Sequence, residues 1–327
     1  MYVGGKTGTS GLGTRLGGHY WSGRLLGAKS LPAESRCPDV PMSPLPSPEA
    51  SFSPNREANM STPPVILYDH AYGDFTSGAE AAVRRETYGE DLGQSSWMTA
   101  AEWLGFADRI GVDASSNVLE VGSGSGGPGV YLALQRGCRL TGVDLNEHGV
   151  RNATALAEAR GVADRVRFQT VDASRPLPFP EASFDAVMSN DAMCHIKGRG
   201  DVLRDWYRVL RPGGRAFFTD ALVITGAVSH EELATRSSIG FYLFVPPGEN
   251  ERALTAAGFT MLAVEDVTQN AADLSRRRHD ARARYARELV EREGQENFDG
   301  LQRFLMCVHT VSAERRLSRF AYLAEKR

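Results

Sequence analysis

Four cysteines in 327 residues, Cys37, Cys138, Cys194 and Cys307, lie far apart and form no CxxC pair. Neither a disulfide framework nor a cysteine-based metal site is encoded by such spacing. No apolar run approaches the roughly 18 residues that a membrane-crossing helix requires, so no membrane partner is expected. Neither sign of charge is in excess: 37 Lys and Arg stand against 40 Asp and Glu, a net charge of −3. A chain so balanced has no electrostatic reason to take nucleic acid as its main partner. Histidines His148, His195, His230, His279 and His309 are scattered, which excludes a metal-ligand cluster legible from spacing, and no metal is expected. A reducing cytoplasm suits this composition best.

The first 59 residues differ from the rest. They hold 9 Gly, 7 Pro and 8 Ser with no sustained apolar period. Such a segment cannot bury enough apolar surface to offset its ordering entropy, and it lacks the apolar core of a secretory signal. Residues 1–59 are therefore read as a disordered leader, with Met60 a candidate start, and residues 60–327 as one catalytic domain.

From Tyr68 onward, strand and helix signals alternate. "SSWMTAAEWLGFADRIG" carries apolar residues at roughly helical spacing, with Ser95 or Ser96 as N-cap. Five strands follow, "NVLEV", "CRLTGVDL", "RVRFQTVDA", "FDAVMSN" and "RAFFTDAL", separated by helices, one starting at Pro128 and one running from about His148 to Arg160. A helix "RGDVLRDWYRVL" ends at "RPGG". Beyond the fifth strand come helical pieces in "EELATRSSIGFYLF" and "GENERALTAAGF", then a sixth strand "TMLAVEDVT" and a seventh, "RLSRFAYLAEK". Between the last two, one long charged helix from Ala271 to about Glu293 and a second carrying Phe298, Leu301, Leu305 and Val308 form a helical insertion over 270–314, read as a substrate lid. The expected fold is α/β and Rossmann-like: a seven-stranded, mostly parallel sheet with helices on both faces. Right-handed crossovers then place the strand C-termini, and whatever they bind, along one edge.

The stretch "VLEVGSGSGGPGVYLA", Val118 to Ala133, is a strand, a glycine-dense turn and a helix. Gly122, Gly124 and Gly127 satisfy GxGxxG, and Asp144 follows about 20 residues on, as a dinucleotide fingerprint asks. A nicotinamide cofactor and S-adenosylmethionine both present a ribose to that acid. Three features favour S-adenosylmethionine. Glu120 stands two residues before the first glycine, where a carboxylate repels a pyrophosphate but suits a sulfonium and an α-amino group. The third strand ends in a further acid, Asp172, able to accept from an adenine amine. "VLRPGGRAFFTD" places a helix end, a Pro-Gly-Gly turn and a strand where the fifth strand is due.

With these residues the chain resembles the class I S-adenosylmethionine-dependent methyltransferases, from about Tyr68 to the C-terminus and most strongly across Val118 to Asp220. "EVGSGSG", "VDL", "VDAS" and "VLRPGG" carry the likeness. "YGEDLGQSSW", "SNDAMCHI" and the insertion resemble the sarcosine/dimethylglycine N-methyltransferases, with ubiquinone/menaquinone and phosphoethanolamine methyltransferases as relatives. The resemblance implies that Glu120, Gly122, Ser123, Gly124 and Gly126 line the methionine side of the cofactor. It implies Asp144 at the ribose hydroxyls, Leu145 against the adenine, Asp172 and Ala173 at the adenine edge, and Asn190 near the methyl group. Gln94 and Ser95 would close over the cofactor.

Methyl transfer from a sulfonium is an in-line displacement, accelerated by alignment in a closed site. An amine acceptor needs little beyond desolvation and a proton acceptor, whereas hydroxyl and carbon acceptors more often need a base or metal. His195 is the leading base or substrate contact, the alternative being a structural hydrogen bond. Asp191 is a candidate for binding a cationic substrate, or else an N-cap. Tyr88 and Tyr242, with Tyr68, Tyr72, Phe241 and Phe244, are candidates for an aromatic box around an ammonium group, and His309 for a pocket residue; core packing competes with each. Cys194 is read as packing, and the run "RRRHDARARYARELVERE" as a solvated helix face. The function expected is methylation of a small-molecule substrate, on nitrogen first, with O- or C-methylation of a natural product or quinone as the alternative. An NAD(P)-dependent oxidoreductase and a non-catalytic cofactor-binding domain stay open, and a homodimer is compatible with this reading.

Overall fold

The protein is represented by a computed structural model that describes residues 78–327. The leader expected over 1–59, the candidate start at Met60, and Tyr68 and Tyr72 lie outside the described residues.

Seven strands form one sheet in the order β3-β2-β1-β4-β5-β7-β6. They are β1 (Asn117–Val121), β2 (Arg139–Asp144), β3 (Val166–Thr170), β4 (Phe184–Ser189), β5 (Leu210–Ile224), β6 (Thr260–Asp266) and β7 (Leu317–Glu325). The first five run parallel, and β7 lies antiparallel between β5 and β6. This is the mostly parallel α/β sheet the alternation predicts. The order reverses at β1, with β2 on one side and β4 on the other, so a crevice opens beyond the C-terminal end of β1.

Helices cover both faces because consecutive strand residues point to opposite sides. On one face Val118 and Leu140 pack with Trp103 and Phe106 of α2 (Ala100–Ile110), Val130 and Leu132 of α3 (Gly127–Arg136) and Ala153 of α4 (Glu147–Ala159). On the other, Leu119, Val121 and Phe218 pack with Val202, Leu203 and Trp206 of α5 (Arg199–Val209) and Leu254 of α7 (Glu249–Ala256). The helix α1 (Gly78–Tyr88) precedes them, and α6 (His230–Arg236) follows β5.

Between β6 and β7 stand α8 (Thr268–Arg284), α9 (Ala286–Glu293) and α10 (Gln295–Ala313). The single helix expected from Ala271 to Glu293 is two, broken at Tyr285. Near the break Arg282, which is 1% exposed, turns inward to pair with Glu80 at 3.3 Å and with Glu293. The arginines at Arg276 and Arg284 pair with Asp280 and Glu86 on the exposed side, as a solvated face requires.

Three boundaries also depart from expectation. α2 is capped by Thr99, whose hydroxyl accepts from the Glu102 amide, and not by Ser95 or Ser96. Ser96 instead meets the β4 tip, where its hydroxyl accepts from Asn190 and the Trp97 amide donates to Asp191. "RPGG" lies within β5 as a bulge: the register jumps from Phe184–Leu210 to Ala186–Arg215, with Gly213 at φ 77°. In "EELATRSSIGFYLF" the helix stops at Arg236, turns follow over 237–240, and the irregular segment after them meets the β4 turn, with the Leu243 amide donating to the Cys194 carbonyl.

Candidate active site

The glycine turn between β1 and α3 is closed by its own hydrogen bonds. The Gly122 and Ser123 amides donate to the Val143 carbonyl, the Gly126 amide to the Ser123 carbonyl, and the Gly124 amide to Asp144 Oδ2 at 2.8 Å. A pyrophosphate cradle depends on amides of such a turn being available to phosphate oxygens. Here these four are consumed, which speaks against a dinucleotide.

The turn is also tightly covered. Gly122 has φ 77°, and a β-carbon there would meet the Ala192 β-carbon at 2.3 Å. A β-carbon on Gly127 would sit 1.4 Å from the Leu92 carbonyl oxygen. At Gly126 the missing side chain makes room for Ala153 and Phe168.

Glu120, on β1, is 3% exposed, and its Oε2 finds no hydrogen-bond partner among the described residues. Burial, with the Asp144 charge added, pushes its carboxyl up to about 8. The buried hydroxyls of Ser123, Ser125 and Ser189 are likewise without partners. Buried polar atoms left unpaired are uncommon in folded proteins and call for an explanation. Four of them on β1, the glycine turn and the β4 tip fit a polar, positively charged ligand in the crevice. S-adenosylmethionine is such a molecule.

The three expected strand-tip acids lie on one sheet edge, but their states differ. Asp144 accepts from the Gly124 and Asn146 amides, so it organises the turn as well as facing the crevice. Leu145 beside it is 67% exposed, an apolar surface with no cover. Asp172 accepts from the Ser174 amide and hydroxyl and lies 3.5 Å from Arg175; the Ser174 hydroxyl in particular holds it below the usual carboxylate range. Ala173 packs against the core on the β3 side. Gln94 is buried in the Glu90–Trp97 loop, its Oε1 accepting from the Leu92 amide, and Ser95 is half-buried in the same loop.

Asp191 does not stand ready for a cationic substrate, nor does it cap a helix. Its Oδ1 accepts from Arg319 Nε at 2.8 Å and from the Thr219 hydroxyl at 2.7 Å, and its Oδ2 from the Trp97 amide at 2.9 Å. Asn190 is tied into the same network, donating to Ser96 and accepting from Arg319. Arg319, fully buried on β7, also pairs with Glu102 at 2.9 Å. Burial works against its charge, and the Asp191 and Glu102 carboxylates outweigh that effect and raise its pKa. Sequence reading missed Arg319 and Glu102 altogether. Their only signal is an isolated charge in an apolar strand and another in an amphipathic helix.

His195 follows in a short 3₁₀ turn, Met193–His195. Its Nδ1 lies 2.9 Å from the Phe241 carbonyl, and its ring packs on Tyr242 with centroids 4.5 Å apart. Burial, chiefly, pushes its pKa below the ordinary histidine value. A neutral ring donating from Nδ1 carries its lone pair on Nε2. Cys194 is buried in a small apolar cluster, donates to the Asp191 carbonyl, and burial holds it as a thiol.

Among the described residues the aromatics expected to form a box do not gather in one cluster. Tyr88 donates to the Ser96 carbonyl within one apolar cluster, while Tyr242 and Phe244 pack with another. Phe241 lies under the Lys197 ammonium instead. His309 holds α10 to α8 through the Ala272 carbonyl. Among the described residues no His, Cys, Asp and Glu gather as a metal site, and no helix is long and apolar enough to cross a membrane.

Comparison with known proteins agrees with this geometry. Residues 119–218 match the family described as methyltransferase domain. The 27-O-demethylrifamycin SV methyltransferase of Amycolatopsis mediterranei is 32% identical over 196 residues, covering 56% of this chain and 72% of the relative. The sarcosine/dimethylglycine N-methyltransferase of Halorhodospira halochloris is 31% identical over 215 residues, 63% of this chain and 70% of the relative. Among solved structures, the [4+2]-cyclase SpnF superimposes with a TM-score of 0.64 at 22% identity, covering 80% of this chain and 96% of that one. That last likeness bears on fold alone, since one fold hosts several chemistries. Strand order, closed glycine turn, crevice acids and relatives converge, and the chain belongs to the class I S-adenosylmethionine-dependent methyltransferases.

Proposed function

We propose that this methyltransferase acts on an amine nitrogen of a small molecule. The observation that carries the reading is the state of His195: desolvated, neutral, and oriented by the Phe241 carbonyl so that Nε2 is the basic atom. A base weakened in this way is mismatched to an unactivated hydroxyl but adequate for the proton that an amine sheds. The N-methylating relative from Halorhodospira halochloris supports the same choice.

When bound, S-adenosylmethionine supplies a methyl group made electrophilic by its sulfonium, whose positive charge is lost on transfer. Glu120, Ser123 and Ser125 would hold its methionine end, Asp144 its ribose, and Leu145 with Asp172 and Ala173 its adenine. Gly122 and Gly124 shape that turn, and Gln94 and Ser95 cover it. Asn190 and Asp191 are positioning residues that hold the β4 tip against the Glu90–Trp97 loop. His195 takes the acceptor's proton at Nε2, while Tyr242 limits where that ring can turn. Excluding water and fixing the line of attack is worth several kcal/mol in such reactions, of order 7–11 kcal/mol at best.

The test is a screen of amines, phenols and quinols with methyl-labelled cofactor. Label recovered on nitrogen is expected. Label recovered solely on phenolic oxygen or carbon would replace this reading by the O- or C-methylation alternative.

A further inference from the structure

Four arginines are buried among the described residues: Arg199, Arg236, Arg282 and Arg319. Three have carboxylates. Arg199 pairs with Asp220 at 2.6 Å, Arg282 with Glu80 at 3.3 Å and with Glu293, and Arg319 with Asp191 and Glu102. Arg236 has none among the described residues. It is 3% exposed, and its Nη1 is buried without a hydrogen-bond partner.

What Arg236 does have is an aromatic sandwich. Its guanidinium lies 4.9 Å from the Tyr242 ring centroid and 5.0 Å from that of Phe304 on α10. Such contacts offset part of the desolvation of a buried cation, but they supply no counter-charge and no hydrogen-bond acceptor for the fork. A planar fork set beside two rings, with its buried Nη1 unpaired, is suited to receive the oxygens of an anion.

The location names the ligand. Tyr242 packs on His195, and the 241–243 stretch is bonded to the 194–195 turn through Phe241 and Leu243. Phe304 comes from the helices inserted between β6 and β7. None of these elements belongs to the β1–β3 tips assigned to the cofactor, so the vacant charge faces the acceptor side. We propose that Arg236 is the receptor for an oxyanion, a carboxylate or phosphate, carried by the methyl acceptor. The identity of that acceptor as an amine rests on the preceding reading; the anion site does not.

The test titrates the full-length protein, saturated with S-adenosylhomocysteine, by calorimetry. Probes are acetate, inorganic phosphate and two matched pairs: β-alanine with β-alaninamide, and 3-aminopropyl phosphate with 3-aminopropanol. The anionic member of at least one pair is expected to bind tenfold or more tighter, and the pair that discriminates tells carboxylate from phosphate. In Arg236→Met, which keeps an apolar stem between the rings, that preference should vanish while affinity for S-adenosylhomocysteine stays within twofold. Arg236→Lys should keep a reduced preference, because it keeps charge without the fork. Equal affinities within both pairs for the unaltered protein would overturn the proposal, even if Arg236→Met failed to fold. So would a preference that survives in Arg236→Met, or a loss of S-adenosylhomocysteine affinity, which would assign the fork to the cofactor's own carboxylate. Arg236-dependent anion binding without label on nitrogen would sink the amine reading and leave this one standing.

Discussion

Arg319 Nε donates to Asp191 Oδ1 across 2.8 Å, joining the last strand of the chain to the turn beyond β4, 128 residues earlier. Asp191 sits at φ 53°, a left-handed conformation in which Asp and Asn are the side-chain-bearing residues most at home. Such backbone strain persists only where surrounding contacts over-determine it. Here the contacts are Arg319, Thr219 and the Trp97 amide. The network therefore fixes both the β4 tip, and with it His195, and the loop that covers the glycine turn.

Breaking that network should be costly in proportion to what is left unpaired. Arg319→Met strands two buried carboxylates, Asp191 and Glu102, and is expected to lower unfolding free energy by about 3–5 kcal/mol. Adding Asp191→Asn and Glu102→Gln should recover much of it, since the remaining groups are then neutral. Denaturant titrations of the single and triple variants at pH 7 measure this. Simple additivity of the three losses would contradict a coupled network.

With Glu120 in its proposed place beside the cofactor, binding and stability should depend on pH in opposite senses. Its folded-state carboxyl titrates near 8, above the 4.5 of a free glutamate. Between those values folding takes up a proton, so ligand-free stability is greatest below about 4.5 and falls as pH rises, levelling off above about 8. A cationic ligand favours the ionised form, so binding should release a proton at pH 6–7 and weaken roughly tenfold per unit of acidification there. Calorimetry in buffers of different ionisation enthalpy counts the proton. Glu120→Gln should abolish the release and raise the melting temperature at pH 8, with little change at pH 4.

On its proposed role as proton acceptor, His195 should set the acid limit of turnover. Its pKa lies below the ordinary histidine value, so the neutral base persists on acidification and is lost as pH falls through that depressed value. The unfolded chain protonates earlier, so the native state loses stability over the same acid range. The profile of kcat against pH should be flat from neutrality to beyond pH 6.5 before falling. His195→Ala should reduce kcat with little effect on S-adenosylhomocysteine binding. Rescue by exogenous imidazole would mark proton transfer, which a packing role does not allow.

Most of the fold is legible in the sequence because most strands are short runs rich in β-branched or aromatic residues bounded by turn residues, and most helices have an apolar stripe. The placement of Glu120, Asp144 and the glycines around one turn is legible for the same local reason: it follows from one strand-turn-helix unit and the strand beside it. The ties that hold Asp191 and Asn190 are not legible, since their partners, Arg319 and Thr219, come from β7 and β5, far along the chain. No local pattern announces such a pairing. Tyr88 and Tyr242 fail as a box for a related reason. Spacing puts aromatics near the site, but only packing decides which cluster each joins, and Tyr242 already faces an internal cation.

Two glycines test the closure of the turn, through different neighbours. At Gly122 the obstacle to a side chain is the Ala192 β-carbon at 2.3 Å, combined with φ 77°, so Gly122→Ala strains the backbone and pushes the β4 turn away. It should destabilise the protein by more than the ~1 kcal/mol of an ordinary glycine position, and pairing it with Ala192→Gly should relieve the steric part alone. At Gly127 the backbone is helical and alanine is intrinsically favoured, yet its β-carbon would fall on the Leu92 carbonyl. Gly127→Ala should therefore leave the sheet intact and displace the Glu90–Trp97 loop. Hydrogen exchange in that loop should accelerate, and S-adenosylhomocysteine should dissociate faster, with the melting temperature nearly unchanged. A variant whose loop stays protected and whose dissociation rate is unaltered would show that the loop does not close the crevice.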